Sequence, residues 1–219
     1  MRRALIYSRS YREAVLATNP VGYWRLGESA GTVARDEMGA NDGTKVGAPT
    51  LGVPGLLSGD PNTAVTFGGT NMVEAAQMAL PSAYTLLAWV KATSWLADSA
   101  ILGQHSGTTG ILIYVDGIDL RLYVNLNTLT TPVPSTGATH MVAGTYDGAL
   151  ASIYIDGLLV AGPTAKTGPV ATPAVSFKIA SYYANGAVAF DGTIDEPAYW
   201  NRAMTPAEIA DLNRIGRGR

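Results

Sequence analysis

The chain has 219 residues, of which 47% are hydrophobic and only 15% are charged, and its formal net charge is −2. A hydrophobic fraction of this size can fill a large core, which disfavours an intrinsically disordered chain. The absence of cysteine excludes disulfides and thiol chemistry. No apolar run approaches the ~18 residues of a membrane-spanning helix, so the sequence predicts neither a membrane protein nor a membrane partner.

Charged residues are unevenly distributed along the chain. The first twelve residues contain arginines and no acid, and the last six contain only basic charged side chains, whereas the body between them is acidic. We therefore predict a basic N-terminal arm over residues 1–12, one folded domain over 13–213 and a basic tail over 214–219. Basic ends on an acidic body are suited to docking on acidic surfaces, and the alternative is that they only promote solubility.

The first residues also bear on localisation. The sequence MRRALIYSRSYRE contains only residues 4–7 as an apolar run, while a cleaved signal peptide needs about 7 to 15 apolar residues. We therefore expect synthesis in a host cytoplasm without export by that route.

The first predicted element in chain order is a short helix. Ser10 and Glu13 have the spacing of a capping box, and Asn19-Pro20 ends the helix. A strand over residues 21–26 follows. The stretch 29–61 is rich in Gly, Asp, Asn, Pro and Ser, which predicts a long loop region.

Short apolar segments separated by turn residues fill the middle of the chain, and this pattern predicts antiparallel strands. The predicted strands before the central hairpins cover residues 63–67, 72–76, 84–92, 99–104, 111–115, 120–125 and 128–133.

The central stretch, MVAGTYDGALASIYIDGLLVAG over residues 141–162, carries the clearest hairpin signal. Two Asp-Gly pairs, at 147–148 and 156–157, supply residues that tolerate the positive φ of tight turns. Ile153 and Ile155 alternate with polar or aromatic neighbours, as in a half-buried strand. We predict three strands here, over 141–146, 150–156 and 158–162.

The chain ends with strands predicted over 175–181 and 192–200, followed by a second helix. Thr205 and Glu208 form another capping box, with Pro206 at the first helical position. Many short strands with helices only at the ends predict an all-β fold, an antiparallel β-sandwich or jelly roll.

Several segments occur in the order found in one known family. They are YWRLGE (23–28), DEMGANDGT (36–44), AVTFGG (64–69), YTLLAWVK (84–91), THMVAGTYDG (139–148), IYIDG (153–157) and FDGTIDEPAYWNRAMTPAEIADL (190–212). Over roughly residues 15–212 the chain resembles the laminin-G-like, concanavalin A-like lectin-glucanase jelly-roll domains. The departure is at His140-Met141, where the family often has Trp-His-His. The resemblance implies two facing antiparallel sheets, one of them concave.

No pattern of catalytic residues stands out. Glucanase relatives of this fold carry carboxylates spaced Glu-x-Asp-x-Glu on one strand, but no Glu here is followed two residues later by Asp. Asp195 and Glu196 are adjacent, so on a regular strand they would face opposite sides. There is no Gly-x-Ser-x-Gly motif, and His105 and His140 lack metal-binding spacing. We therefore predict that the protein is not an enzyme.

The resemblance also implies a structural calcium ion, because many relatives hold one between the early loop and the last strand. Calcium prefers carboxylate, amide and backbone carbonyl oxygens. The matching positions here are Asp36, Gly39 through its carbonyl, Asn41 and Asp195. The alternative is that Asp36 and Asn41 make turn hydrogen bonds and Asp195 holds the loop without metal.

Three aromatic residues fall in predicted loops: Trp95, Tyr182 and Tyr183. Flat aromatic side chains on loops can stack on sugars or fill a partner's pocket, and the alternative is that they cover the open ends of the sandwich. Few aromatics lie among the terminal basic residues, so we expect no nucleic-acid partner.

These observations favour a structural or adhesion protein displayed on a particle, as a phage virion decoration or tail component. Its partners would be other copies of itself, a virion shell or tail protein, and surface glycans. The alternatives are a carbohydrate-binding module and, third, a glycoside hydrolase. The residues predicted to anchor the N-terminal arm to a partner are Arg2, Arg3, Tyr7, Arg9, Tyr11 and Arg12.

Overall fold

Two antiparallel β-sheets face one another in the computed structural model, which describes residues 9–124, 126–166, 170–183 and 189–219. The elements are α1 (Tyr11–Leu16), β1 (Gly22–Tyr23), β2 (Val33–Ala34), β3 (Gly43–Val46), β4 (Thr50–Pro54), β5 (Thr63–Phe67), β6 (Met72–Ala75), β7 (Tyr84–Ser94), β8 (Ser99–His105), β9 (Gly110–Asp116), β10 (Asp119–Val124), β11 (Asn127–Pro132), β12 (His140–Tyr146), β13 (Leu150–Ile155), β14 (Leu158–Ala165), β15 (Phe177–Ile179), β16 (Asp191–Trp200) and α2 (Pro206–Gly216).

The first sheet has the strand order β14-β13-β12-β7-β16-β5-β4, with β1 also paired to β16. The second sheet has the order β11-β10-β9-β8-β15-β6-β3-β2. Each helix begins with the capping box predicted from the sequence. The predicted all-β antiparallel sandwich of the jelly-roll type, with a short helix at each end, is therefore confirmed.

Strand β7 is buried on both of its faces, because it lies in the middle of the first sheet between two apolar layers. Leu86 and Val90 point into the core between the sheets. Leu87 and Trp89 point the other way, into a second apolar cluster on the outer face of the first sheet. This alternation explains why the strand is apolar at nearly every position.

The outer face of the first sheet is covered by both helices. Tyr11 and Val15 of α1 and Ile209 and Leu212 of α2 pack in the same buried cluster as Trp89. The described part of the outer face of the second sheet is instead covered in part by loop residues such as Tyr182, which packs on a small buried cluster there. No helix in the described part of the chain is long and apolar enough to span a membrane.

The stretch 29–61, predicted as a loop, contains the short strands β2, β3 and β4. These strands lie at or near the ends of the two sheets. The side chains of β4 are all exposed or half-buried. A strand without a buried face needs no apolar alternation, which is why its sequence gives no strand signal.

Candidate functional site

A small aromatic cluster lies on the outer face of the second sheet. Tyr114 on β9 and Tyr123 on β10 point away from the inter-sheet core, because the residues that alternate with them are the core residues. Tyr123 pairs across the strands with Leu112, and Tyr182 packs on the same small cluster. Aromatic rings at the rim of such a cluster are suited to contact a flat ligand.

One of the predicted ligand residues, Tyr182, meets His105 at one end of this face. The His105 ring lies edge-on to Tyr123 at 4.2 Å and to Tyr182 at 5.7 Å between ring centroids. Tyr182 and Tyr183 are 4.1 Å apart, and the Tyr182 hydroxyl donates to the Tyr183 hydroxyl at 2.7 Å. Tyr183 remains 39% exposed. The structure therefore brings Tyr182 and Tyr183 together at the surface.

A cavity of about 230 Å³ opens beside this aromatic group. It is lined by residues 105–107, Val175, Lys178, Tyr182 and Tyr183. We call this cavity and its lining residues the Tyr182 site. It combines ring surfaces with a small number of polar groups, as ligand sites do.

The titratable groups of the Tyr182 site are shifted by burial. Burial lowers the pKa of His105 to about 4, so its imidazole is neutral at pH 7. Burial also lowers the pKa of Lys178, while the nearby Glu74 carboxylate acts in the opposite direction. The pKa of Tyr182 is raised, first by burial and then by its hydrogen bond with Tyr183.

Trp95, the third predicted ligand residue, has a different environment. It is half-buried and packs against the inter-sheet core, edge-on to Phe190 at 5.7 Å. Its indole N–H donates to the carbonyl of Pro134 at 2.7 Å. Trp95 thus belongs to a different apolar cluster from Tyr182, as in the alternative in which it covers the end of the sandwich.

The predicted calcium ligands of the early loop form a closed hydrogen-bonded turn. The Asp36 carboxylate accepts from the backbone N–H groups of Tyr23 at 2.9 Å, Met38 at 3.1 Å, Ala40 at 3.2 Å and Asn41 at 2.9 Å. The Asn41 amide adds a further bond at 3.3 Å. Gly39 also belongs to this turn, through its N–H bond to the Asp36 carbonyl at 2.8 Å. Five donors fill the lone-pair positions of the carboxylate.

Asp195 lies in a separate hydrogen-bonded group. Its Oδ2 accepts from Leu56 N–H at 2.8 Å, and it shares no hydrogen-bond partner with Asp36. No group of three or more His, Cys, Asp or Glu side chains in the described ranges is arranged to hold a metal. Because N–H donors rather than open space surround the Asp36 carboxylate, these residues as arranged do not fit the calcium ion that the family resemblance implies.

Asp195 and Glu196 both lie buried under residues 55–62. The expected alternation is interrupted here, because β16 shifts register against β7 after Asp195 and Glu196 adopts a φ of 54°. Glu196 accepts from Arg25 Nε at 2.8 Å and from Asn62 Nδ2 at 3.2 Å. Burial, and then the Glu196 charge, raise the pKa of Asp195 to about 8. Sequence alternation could not identify this buried acid pair.

Only part of the predicted N-terminal arm lies within the described residues. Arg2, Arg3 and Tyr7 lie outside them, and Arg9 is exposed. Helix α1 begins at Tyr11, inside the range predicted as the arm, and Tyr11 is only 3% exposed. Arg12 pairs with Glu37 of its own chain at 2.6 Å. In this structure Tyr11 packs in the fold of its own domain and is not available to a partner.

Two facing antiparallel sheets with this topology define a β-sandwich of the jelly-roll type. A laminin-G-type family model, described as the Concanavalin A-like lectin/glucanases superfamily, matches residues 67–210. The chain therefore belongs to that superfamily. A comparison with curated protein sequences gave no match.

Solved structures of low sequence identity share the fold. Domain 4 of AbnA, a GH43 extracellular arabinanase from Geobacillus stearothermophilus, was solved with arabinotriose. It is 19% identical with a TM-score of 0.68, over 89% of this chain and 98% of that domain. Trypanosoma rangeli sialidase in complex with sialic acid is 18% identical with a TM-score of 0.65, over 90% of this chain and 33% of that chain.

Botulinum neurotoxin type C is 11% identical with a TM-score of 0.67, over 92% of this chain and 52% of that chain. The chain thus spans about a third of the sialidase and about half of the toxin chain. At these identities the similarity establishes the fold.

Proposed function

We propose that this domain binds carbohydrate without cleaving it, and that the ligand occupies the Tyr182 site. The observation that carries the proposal is the pair of adjacent tyrosines, one half-buried and one exposed, beside a cavity on the outer side of the second sheet. Tyrosine rings pack against the apolar faces of sugars, while their hydroxyl groups and the polar lining residues hydrogen-bond to sugar oxygens.

The structural relatives support a carbohydrate ligand. The arabinanase domain was solved with arabinotriose, and the sialidase with sialic acid. Cell entry of the botulinum neurotoxin depends on interaction with two ganglioside molecules. A sugar is therefore the ligand class to test first.

A non-enzymatic role is supported by the position of the acids. Glycoside cleavage needs two carboxyl groups facing one bond. Asp195 is 1% exposed, and Glu196 is engaged by Arg25 and by the Tyr23 hydroxyl. No carboxylate is among the described lining residues of the Tyr182 site. We therefore propose binding alone.

The proposal is tested by screening the protein on an array of oligosaccharides and measuring affinity by calorimetry. The double substitution Tyr182→Ala and Tyr183→Ala is expected to abolish binding, because it removes both ring surfaces. Ile118→Ala is the matched control. Ile118 is 80% exposed, and it lies at the opposite end of β9 from Gly110, the partner of His105. An equal loss of affinity in the double tyrosine variant and in Ile118→Ala would contradict the proposed site.

Display on a phage virion, as a decoration or tail protein, is a second proposal. It rests on the arginines of residues 1–12, of which Arg9 is exposed and has no ion pair among the described residues. An arginine-rich segment can pair with carboxylates of a shell protein or of another copy. Deleting residues 2–9, which leaves Ser10 and Tyr11 in place, is expected to reduce co-sedimentation with particles. Attachment should also weaken with salt, and salt-independent attachment of the deletion variant would exclude the arm as the anchor.

A further inference from the structure

The Tyr182 site contains a hydrogen-bond donor that has no acceptor. The N–H of Gly107 donates to Nδ1 of His105 at 3.1 Å. A ring nitrogen that accepts carries no proton, so the single proton of the neutral imidazole is on Nε2. This Nε2 is buried and has no hydrogen-bond partner in the described part of the chain. A buried donor without a partner is unfavourable, and because His105 lines the cavity, a ligand oxygen that displaced the atoms covering Nε2 would satisfy it.

The His105 ring is held in place by its neighbours on three sides. Tyr123 and Tyr182 contact it edge-on, and Gly107 fixes Nδ1. Tyr123 is itself fixed, because its hydroxyl donates to the Thr108 carbonyl at 2.6 Å. A donor that is positioned before the ligand arrives loses little conformational entropy on binding.

The charge at the base of the site is already balanced. Lys178 is the one basic side chain among the described lining residues, and it is 3% exposed. Its ammonium group is 2.6 Å from Ser176 Oγ and 3.6 Å from Glu74 Oε1. The Ser176 hydroxyl donates to the same Glu74 carboxylate. A ligand carboxylate would therefore find no unpaired cation and would be repelled by Glu74, which favours an uncharged ligand.

We propose that His105 determines specificity at this site, with its Nε2–H donating to an oxygen of an uncharged sugar residue that packs against Tyr182 and Tyr183. The inference rests on the proposed carbohydrate binding and deepens it, because it assigns the ligand class, neutral oligosaccharides. Hydroxyl and ring oxygens of such sugars accept one hydrogen bond while the C–H faces contact the rings.

The test uses the full chain on an array of neutral, sialylated and uronic-acid oligosaccharides, followed by calorimetry with the neutral oligosaccharide bound most tightly. His105→Phe keeps an aromatic ring and removes the donor, so affinity is expected to fall about tenfold. The same variant removes an unpaired buried donor but also the acceptor of the Gly107 N–H, so its melting temperature should stay close to that of the wild type. His105→Gln keeps one donor and one acceptor, and it is expected to recover part of the affinity.

A purely structural histidine would behave differently. In that case melting temperature and affinity would fall together in His105→Phe, and His105→Gln would rescue neither, which would overturn the inference. Glu74→Gln is the charge test, because it leaves Lys178 without its carboxylate and should add binding to sialylated or uronic oligosaccharides.

The possible failures can be told apart. A wild-type protein that binds acidic and not neutral oligosaccharides contradicts the ligand class but leaves carbohydrate binding in place. Unchanged affinity in His105→Phe overturns the role of His105 alone. Absence of binding to every oligosaccharide removes the proposed function, and the inference with it.

Discussion

The indole N–H of Trp89 donates to the hydroxyl oxygen of Tyr11 at 2.9 Å, and the two rings meet edge-on with centroids 6.0 Å apart. Both side chains are buried. The contact joins α1, at the start of the chain, to β7 in the middle of the first sheet. It therefore makes Tyr11 part of the cluster that covers the outer face of that sheet.

Replacing Tyr11 tests this contact. Tyr11→Ala removes a buried aromatic ring and leaves the Trp89 N–H without an acceptor, so the free energy of unfolding should fall by ~3–5 kcal/mol. Tyr11→Phe keeps the ring and removes only the acceptor, which should cost about 1–3 kcal/mol. Urea unfolding measures the free energy of unfolding of both variants. A wild-type value for Tyr11→Ala would show that α1 does not dock on β7.

Gly216, near the end of α2, lies directly against the ring of Trp89. A Cβ atom added at Gly216 would overlap that ring. Alanine favours a helix over glycine by about 1 kcal/mol, but forcing an atom into a packed core costs about 1–3 kcal/mol. We expect Gly216→Ala to lower the free energy of unfolding despite its higher helix propensity. Gly68→Ala, where a Cβ meets nothing within 4 Å, is the control, and greater stability in Gly216→Ala would contradict the packing.

The buried acid Asp195 predicts a pH dependence of stability. Because its pKa is raised to about 8 in the folded protein, from about 3.9 in an unfolded chain, the folded state binds more protons between these values. The stability from protonated Asp195 is full below pH ~4 and is lost as the pH rises through about 8. Asp195→Asn keeps an acceptor for Leu56 N–H and cannot ionise. We expect the melting temperature of this variant to fall less than that of the wild type between acid and alkaline pH. An equal pH dependence of the melting temperature in both proteins would contradict this prediction.

Affinity at the Tyr182 site should be insensitive to pH near neutrality. His105 has a pKa of about 4 because burial disfavours its charged form. Of the groups near it, Tyr123 and Tyr182 have raised pKa values and stay neutral, while the Lys178 amino group lies 3.6 Å from Glu74 Oε1. Binding of a neutral oligosaccharide should be constant from about pH 6 to pH 8 and weaken as the pH approaches 4, where protonation of Nδ1 breaks its bond with Gly107. Calorimetry across this pH range measures the affinity. A loss of affinity with its midpoint near pH 6.5 would mean that His105 is not buried.

Calcium should leave stability unchanged, because the Asp36 carboxylate is already satisfied by N–H donors. A ligand at 100 times its dissociation constant adds about 2.7 kcal/mol, so a bound ion would raise the melting temperature by several degrees. We expect equal melting curves in chelator and in millimolar calcium. A calcium-dependent rise that Asp36→Asn abolishes would instead support the ligand set expected from the family resemblance.

Many of the strand positions could be predicted from local signals. The two Asp-Gly turns and the alternation of Ile153 and Ile155 identify the β12–β13–β14 meander to within a few residues of its observed bounds. Capping boxes identify both helices in the same way. These signals are local because turn chemistry and helix caps involve residues only a few positions apart.

The candidate site was only partly predictable. Tyr182 and Tyr183 were identifiable as aromatic residues in a loop, but His105 was missed because its surroundings are formed by residues on other elements. Tyr123 and Tyr182 come from different parts of the chain, and only the folded sheet places their rings against His105. The spacing of the two histidines in the sequence therefore gave no indication that His105 belongs to the candidate site.

By itself, the sequence determined the fold class, the turns and most of the strands, since these follow from periodicity and turn residues within short windows. Only the tertiary structure decided which apolar layer each side of β7 faces, placing Leu86 between the sheets and Trp89 under the helices. It likewise decided that Asp195 and Glu196 are buried together, because the register shift of β16 depends on its pairing with β7. The physical reason is that a strand buried on both faces is apolar throughout, so its sequence does not distinguish one layer from the other.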